Sequence, residues 1–448
     1  MGDMNKLTAA DTDTDGMRKR LGARERVRIL FGDQLNLARG KYVPVSESEK
    51  GHARMCVGNF AVTYDKVLVA APGGGLLDGL PDMEAVFDPV DLRPSWENDT
   101  QIVLADLRFK GEPFALCGRS ALKRAIEGWR AIGLEPMVGI EMEAYIFQRG
   151  PDGGWVPYDT PGAFVYGTGP FSDPAGLIED IWVCADECNL PIESMNAEYD
   201  APQFELTLRF ADALKAVDDA FLFRQMAREI LYKRGYLLSF LPKPFADKAG
   251  SGLHFNISFN DANGNNIFAN DAADGKPGDI MTGCIAGLLE HHQALAAIMA
   301  PLTNSYARLQ PASLSGYWAN WGFDHRAVTV RVSAESGKAA RIEHRMADCA
   351  SSPYFAVAAA LQAALLGVSK GYALPPPETN DGLETINTDR HTPHSLGDAL
   401  EALDADLALK AAVGATMIDN FIAIKREEIN ILEGKSVDEQ IAYYLHFI

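Results

Sequence analysis

The sequence lacks any run of about 18 or more apolar residues, so no membrane-spanning helix is expected. Its six cysteines, Cys56, Cys117, Cys184, Cys188, Cys284 and Cys349, form no CxxC pair, which removes the usual zinc and thiol-redox spacings. A disulfide framework is not expected in so large a chain. Cys184 and Cys188 stand one helical turn apart and read as reduced residues on one helix face. Positive charge is scarce: 41 Lys and Arg against 61 Asp and Glu leave a net charge of −20. That balance argues against nucleic acid or an anionic membrane as the main partner. The opening stretch, "MGDMNKLTAADTDTDGMRKR", has no apolar core of a signal peptide, and a cytoplasmic enzyme is expected. A glycine-rich phosphate loop is also missing. "GSG" at 250–252 does not match one, and "GGG" at 73–75 precedes no lysine-bearing helix, which disfavours a kinase-like or ATP-grasp enzyme.

What is present is 448 residues, 47% of them hydrophobic, enough for two or three domains. Residues 1–22 read as a polar start with one short helix. "RVRILFGD" (26–33) reads as a strand, and short strands and turns continue to about residue 110. From residue 118 long helices alternate with strands. Helices are expected over 118–133, from an N-cap at Asp173-Pro174 to about 189, over 211–234 with a stop at Gly235, and over 279–299, 353–366 and 415–432. The fold class is α+β, with segments 1–22, 23–115 and 116–448 and a boundary near 112–118.

Five strands share one pattern, an apolar face opposite a polar one. "GIEMEAYIF" (139–147) puts Glu141 and Glu143 on the same side, since residues i and i+2 of a strand point alike. "QFELTLRF" (203–210) puts Phe204, Leu206, Leu208 and Phe210 opposite Gln203 and Glu205. "LHFNISF" (253–259) aligns His254, Asn256 and Ser258. "VTVRV" (328–332) aligns Thr329 and Arg331, and "RIEHR" (341–345) aligns Arg341, Glu343 and Arg345. A merely wet face of an antiparallel sheet would usually carry Lys and Thr; these faces carry Glu, His, Arg, Asn and Ser and no Lys. Glutamates and a histidine suit hard divalent cations, and arginines suit phosphate and carboxylate. Paired glutamates become tolerable if each binds a cation. Metals beside anion-binding arginines are the apparatus of phosphoryl transfer from a nucleotide.

With these residues the chain resembles the glutamine synthetase family. The resemblance is carried by "GIEMEAYIF", "NAEYDAPQFEL", "LPKPFADKAGSGLHFNISF", "NSYARLQP", "DHRAVTVRV" and "GKAARIEHRMADCASSPYFAVAAALQAAL", in order and at matching spacing, with "DEQIAYYLHFI" like the family's C-terminus. It implies a small N-terminal β-grasp-like domain followed by a catalytic domain whose curved antiparallel sheet is surrounded by helices. By position, Glu143, Glu198 and Glu205 match the ligands of one metal, and Glu141, His254 and Glu343 those of a second. Glu198 rests on the match alone. Glu193, Ser258, Arg331, Lys338 and Arg341 match nucleotide contacts. Arg308 and Arg345 match the arginines holding glutamate's carboxylates, and Gly250 a backbone contact to the same substrate. Arg326 matches the catalytic arginine near the transferred phosphoryl group. ATP and Mg²⁺ or Mn²⁺ are the implied cofactors. A homo-oligomer, a dodecamer of two stacked hexameric rings, is the implied assembly.

The chain also departs from that family. Glutamine synthetases carry a glutamate six residues after the arginine of the "NSYxRL" motif; here the count from Arg308 lands on Leu314, in "QPASLSGYWANWGF". Where an ammonium-binding aspartate belongs in the N-terminal domain, "VGNFAVTYD" has no acid before Asp65, and Ala249 replaces a loop asparagine. Ammonium needs carboxylates for capture and deprotonation. The reading is therefore a ligase that joins L-glutamate to an organic amine, with Leu314, Tyr317 and Trp318 walling an apolar amine pocket and Trp321 and Phe323 nearby. An ordinary ammonia-using synthetase is the alternative. An inactive relative with a structural or sensory role would show lost metal ligands, and all six are present.

Overall fold

The computed structural model describes residues 26–269 and 276–448; the polar start over 1–22 lies outside them. The short strands expected before residue 110 form two sheets. One contains β1 (Arg26–Gly32), β2 (Ala38–Pro44), β5 (Arg93–Pro94) and β6 (Thr100–Leu104) in the order β2-β1-β6-β5. The other contains β3 (His52–Cys56), β4 (Asp82–Val86), β7 (Asp106–Phe109) and β8 (Glu112–Pro113) in chain order.

A nine-stranded sheet follows. Its strands are β9 (Glu135–Arg149), β10 (Trp155–Pro157), β11 (Ile192–Ala197), β12 (Gln203–Asp212), β13 (Leu237–Ser239), β14 (Leu253–Asn260), β15 (Trp321–Phe323), β16 (Val330–Val332) and β17 (Ile342–His344). The order is β11-β12-β9-β14-β17-β16-β15, with β10 and β13 also on β9. Within this sheet, among the described residues, only β15 and β16 pair in parallel. Alternation decides which side is covered: Val138, Ile140, Met142, Ala144 and Ile146 of β9 are buried, and the glutamates between them face the other way. The α+β architecture is as expected.

Numbering helices longer than one turn, α1 is Gly118–Arg130, α2 Leu177–Glu187, α3 Ala213–Lys233, α4 Asp279–Glu290, α5 His292–Met299 and α6 Pro353–Lys370. Trp129 of α1 lies with its ring 4.0 Å from that of Phe259 on β14, and Phe221 of α3 lies 5.6 Å from Tyr354 of α6. α6 is long and apolar enough to span a membrane, but most of it is buried inside the protein. Its contact with α4 requires glycine: a side chain on Gly287 would strike the Ala363 carbonyl, and one on Gly367 the Gly283 carbonyl.

Several expected boundaries shift. Asp173 does not cap α2. The chain turns once more, Gly176 takes φ +68° as the cap, and Asp173 instead bonds the Ile178 N–H at 2.8 Å and the Tyr158 hydroxyl at 3.0 Å. The single helix expected over 279–299 breaks at His291, whose Nδ1 lies 2.5 Å from Asp406 Oδ2. α6 runs past residue 366 to Lys370 and ends where Gly371 adopts φ +64°. The alternation of β12 fails at its end: a bulge between Leu208 and Ala211 leaves Phe210 54% exposed instead of in the core. All six cysteines are free thiols.

Candidate active site

Strand register gathers the polar face. Glu143 on β9 stands opposite Glu205 on β12, and Glu141 stands opposite His254 on β14. Glu343 on β17 stands between Asn256 of β14 and Arg331 of β16. Glu198 follows β11 in a turn, its N–H bonded to the Gln203 carbonyl at 2.8 Å. Two groups result, Glu141/His254/Glu343 and Glu143/Glu198/Glu205, each with its potential ligand atoms within 4.8 Å of one another. His254 stands between them. Its Nδ1 is 3.2 Å from Glu141 Oε2 and 3.4 Å from Glu343 Oε1, and its Nε2 is 3.8 Å from Glu143 Oε1.

The electrostatics divide the two groups. In the first, burial alone would raise Glu141, but the His254 hydrogen bond and charge and the Asn256 amide at 2.8 Å hold it at about 2. Glu343 is likewise held below the usual carboxylate range, against its burial, by Arg345, His254 and Arg331, the last at 3.0 Å. In the second group, burial and the charges of Glu141, Glu198 and Glu143 push Glu205 up to about 8, although His254 pulls the other way. Burial and Glu143 also raise Glu198. Among the described residues no Lys or Arg side chain bonds to Glu143, Glu198 or Glu205. Converging oxygen donors with uncompensated charge fit a hard divalent cation such as Mg²⁺ or Mn²⁺. The first group, with two carboxylates and an imidazole, fits the same class.

Glu193, Ser258, Lys338 and Arg341 line one cleft of about 440 Å³, together with Glu141. Arg341 Nε donates to Asn256 Oδ1 at 2.9 Å, and the Asn256 amide donates to Glu141, so the cleft wall is tied to the carboxylate groups. Arg331 lies beside the cleft, bonded to Glu343 and Asp324. Sequence alternation missed Phe210, which the bulge turns into this cleft against Gly139. No signal in the sequence marks that bulge.

Gly250 lies flat on Arg308: an added Cβ would fall 2.6 Å from Arg308 Cγ and 2.9 Å from the Pro242 carbonyl. Arg308 is buried and donates to the Met346 carbonyl at 2.7 Å and the Arg345 carbonyl at 3.2 Å. Arg345 donates to Glu343 and approaches the Leu314 carbonyl at 3.5 Å. Its Nε is buried without a protein partner. Arg326 is exposed on the turn after β15, and its charge reaches Glu198. Leu314 is 51% exposed. Tyr317 stacks on His391 at 5.2 Å, and Trp318 meets Tyr317 edge-on at 4.8 Å, so the structure brings Leu314 to Arg345 and turns these two rings toward His391. Trp321 is buried, its indole N–H on the Pro375 carbonyl at 2.8 Å, with Phe323 against it. Two further contacts escaped the sequence reading. The Gly252 N–H donates to Glu143 at 2.7 Å. Tyr166, 67% exposed at φ +61°, bonds through its N–H to the carbonyl of Ala197, next to Glu198.

Residues 115–444 match the glutamine synthetase catalytic domain. The chain belongs to the glutamine synthetase family. It is 30% identical over 433 residues to the glutamine synthetase of Pyrococcus abyssi, covering 91% of this chain and 92% of that one. It is 31% identical over 300 residues to a glutamate–isopropylamine ligase of Pseudomonas, 65% of each chain. Among solved structures, a GmaS–ADP complex at 26% identity superposes with a TM-score of 0.81 over 97% of this chain and all of that one. The family is one of ATP-dependent ligases that use divalent metals, and this chain is an enzyme of that family.

Proposed function

We propose that this ligase joins the γ-carboxylate of L-glutamate to an organic amine. A γ-carboxylate oxygen attacks the terminal phosphorus of ATP and ADP leaves. The nitrogen of a neutral amine then attacks the acyl phosphate carbon, inorganic phosphate leaves, and the nitrogen gives up one proton to the departing phosphate, giving a γ-glutamylamide. The two carboxylate groups would hold two divalent cations, which when bound spread the charge of the phosphates. Arg308 and Arg345 hold glutamate's carboxylates, and Glu193, Ser258, Arg331, Lys338, Arg341 and Phe210 hold the nucleotide. Arg326 stabilises the transferred phosphoryl group. The enzyme is read as a cytoplasmic homo-oligomer, a dodecamer, with 23–115 as its N-terminal and 116–448 as its catalytic domain.

The observation that carries the amine reading is Leu314. It is half exposed beside Arg345, and residues 311–323 contain no carboxylate at all. Ammonium and alkylammonium ions need an acid to attract them and accept a proton, whereas an already neutral arylamine does not. An apolar substituent also gains roughly 25 cal/mol per Å² buried against Leu314. Relatives bearing the names glutamate–isopropylamine ligase and GmaS, a gamma-glutamylmethylamide synthetase, support the reading. The test is kcat/KM for ammonia against methylamine, isopropylamine, ethanolamine, a polyamine and aniline, in wild type and Leu314→Glu. An apolar amine is expected to win in wild type, and the variant to shift toward ammonia. Wild type using ammonia best would replace this reading with an ordinary glutamine synthetase, the name the Pyrococcus relative carries.

A further inference from the structure

Arg326 has no hydrogen bond or ion pair of its own among the described residues. Its position therefore depends on the turn that carries it. Asp324 enters that turn at φ +45°, with its N–H on the Val332 carbonyl at 2.8 Å. His325 then bonds at both ends of its ring. Nδ1 lies 3.2 Å from the Ala327 N–H, and Nε2 lies 2.8 Å from the Asn380 carbonyl. A backbone N–H can only donate and a carbonyl can only accept. Nδ1 must therefore be bare and Nε2 protonated, so only the neutral imidazole, in one tautomer, makes both bonds.

The far anchor is held by one buried carboxylate. Glu378 is buried and accepts the backbone N–H groups of Thr379 at 3.0 Å, Asn380 at 2.9 Å and Asn387 at 2.7 Å, with the Asn380 side-chain amide at 3.0 Å. That carboxylate ties the start and end of loop 379–387 together and fixes the Asn380 carbonyl. Gly382, at φ +70°, closes the same loop over the histidine: an added Cβ would fall 2.9 Å from His325 Cε1 and 3.0 Å from Ala327 Cβ.

We infer that His325 is a positioning residue for Arg326, clamping the 324–327 turn to loop 378–387 so that an otherwise untethered guanidinium is held where phosphoryl transfer takes place. The inference rests on the place proposed above for Arg326. Displacing a group by about 1 Å from its working position can cost on the order of a hundredfold in rate, so even a partly loosened turn is measurable.

The experiment is a double-mutant cycle in the full-length enzyme, with kcat and the KM values for ATP and glutamate measured for His325→Ala, Arg326→Ala and the pair. His325→Ala is expected to lower kcat about tenfold or more with little change in either KM, and the double variant to be no slower than Arg326→Ala. His325→Asn should recover part of the loss, because its side-chain carbonyl can accept the Ala327 N–H as in an Asx turn. Gly382→Ala, pressing on the turn from the other side, should reproduce the His325→Ala defect. Losses that multiply in the double variant, or full kcat in His325→Ala beside an impaired Arg326→Ala, overturn the positioning role alone. Full activity in Arg326→Ala overturns the functional reading beneath it. If His325→Ala does not fold, the Asn and Gly382 variants decide the question through the same split of kcat from KM.

Discussion

Glu205 and Glu143 face each other across the β12–β9 ladder, two carboxylates on one face of the sheet. Like charges so placed destabilise a strand pair, and here burial and neighbouring acids raise Glu205 to about 8. A folded value above the unfolded one means that the ionised form costs stability, a cost that grows as pH rises from about 4.3 and is complete above 8. Glu205→Gln should therefore raise the melting temperature of the metal-free protein at pH 8.5 and reduce the further rise that Mn²⁺ gives wild type. An unchanged or lower melting temperature of the metal-free variant would show the carboxylate to be compensated by something else.

The same proton must leave when a cation binds. Mn²⁺ affinity should strengthen as pH rises from 6 to 8, by about tenfold per pH unit for each proton displaced, and level off above 8. Isothermal titration in two buffers of different ionisation enthalpy counts those protons directly. Affinity independent of pH over that range would remove Glu205 from the ligand set.

Arg345→Lys keeps a cation but loses the planar fork that suits a carboxylate. We expect the glutamate KM to rise by the worth of a lost charged hydrogen bond, about 1.5–3 kcal/mol, or roughly 10- to 150-fold, with the ATP KM little changed. An unaltered glutamate KM would place glutamate elsewhere.

Phe210 presents its ring in the cleft beside Lys338 and Arg341. Stacking of a base on an aromatic ring is worth about 1–3 kcal/mol by alanine substitution, so Phe210→Ala should weaken ADP binding by roughly 5- to 150-fold and leave the glutamate KM alone. Equal ADP affinity in fluorescence titration would assign the ring to packing only.

Acid should unfold this protein early. Burial holds both His292 and His344 down to about 3, so each stays neutral in the folded protein. Their contribution to stability is whole above the unfolded value of about 6.5 and declines as pH falls from there toward 3. Melting curves between pH 7 and 4.5 should fall steeply, and less so in His344→Gln. An identical slope in that variant would show that other groups set the acid limit.

Most of the site was legible because strand alternation is a two-residue rule. Glu141 with Glu143, His254 with Asn256, and Glu343 with Arg345 are spaced for one face, and register did the rest. Glu198 sits in a turn, where no periodicity applies, and only its family match marked it. Phe210 was misplaced because one bulge reverses the alternation, and a bulge leaves no pattern in a strand of ordinary composition. The break at His291 was hidden for a related reason: apolar residues continue through it, and the partner that holds the kink, Asp406, lies 115 residues away. The pairing of Tyr317 with His391 is equally non-local, so the sequence could not show which way that ring points.

Arg345 touches both Glu343, a proposed cation ligand, and the carbonyl of Leu314, the residue on which the amine proposal rests. A cation that claims Glu343 takes away one of the guanidinium's acceptors and leaves those donors available to a substrate carboxylate. On the proposed roles, cation and glutamate would then be thermodynamically linked through one side chain. Whatever factor the cation adds to glutamate's affinity, glutamate must add to the cation's. The enzyme would fill these sites as a coupled pair, and neither affinity has a meaning without the concentration of the other ligand.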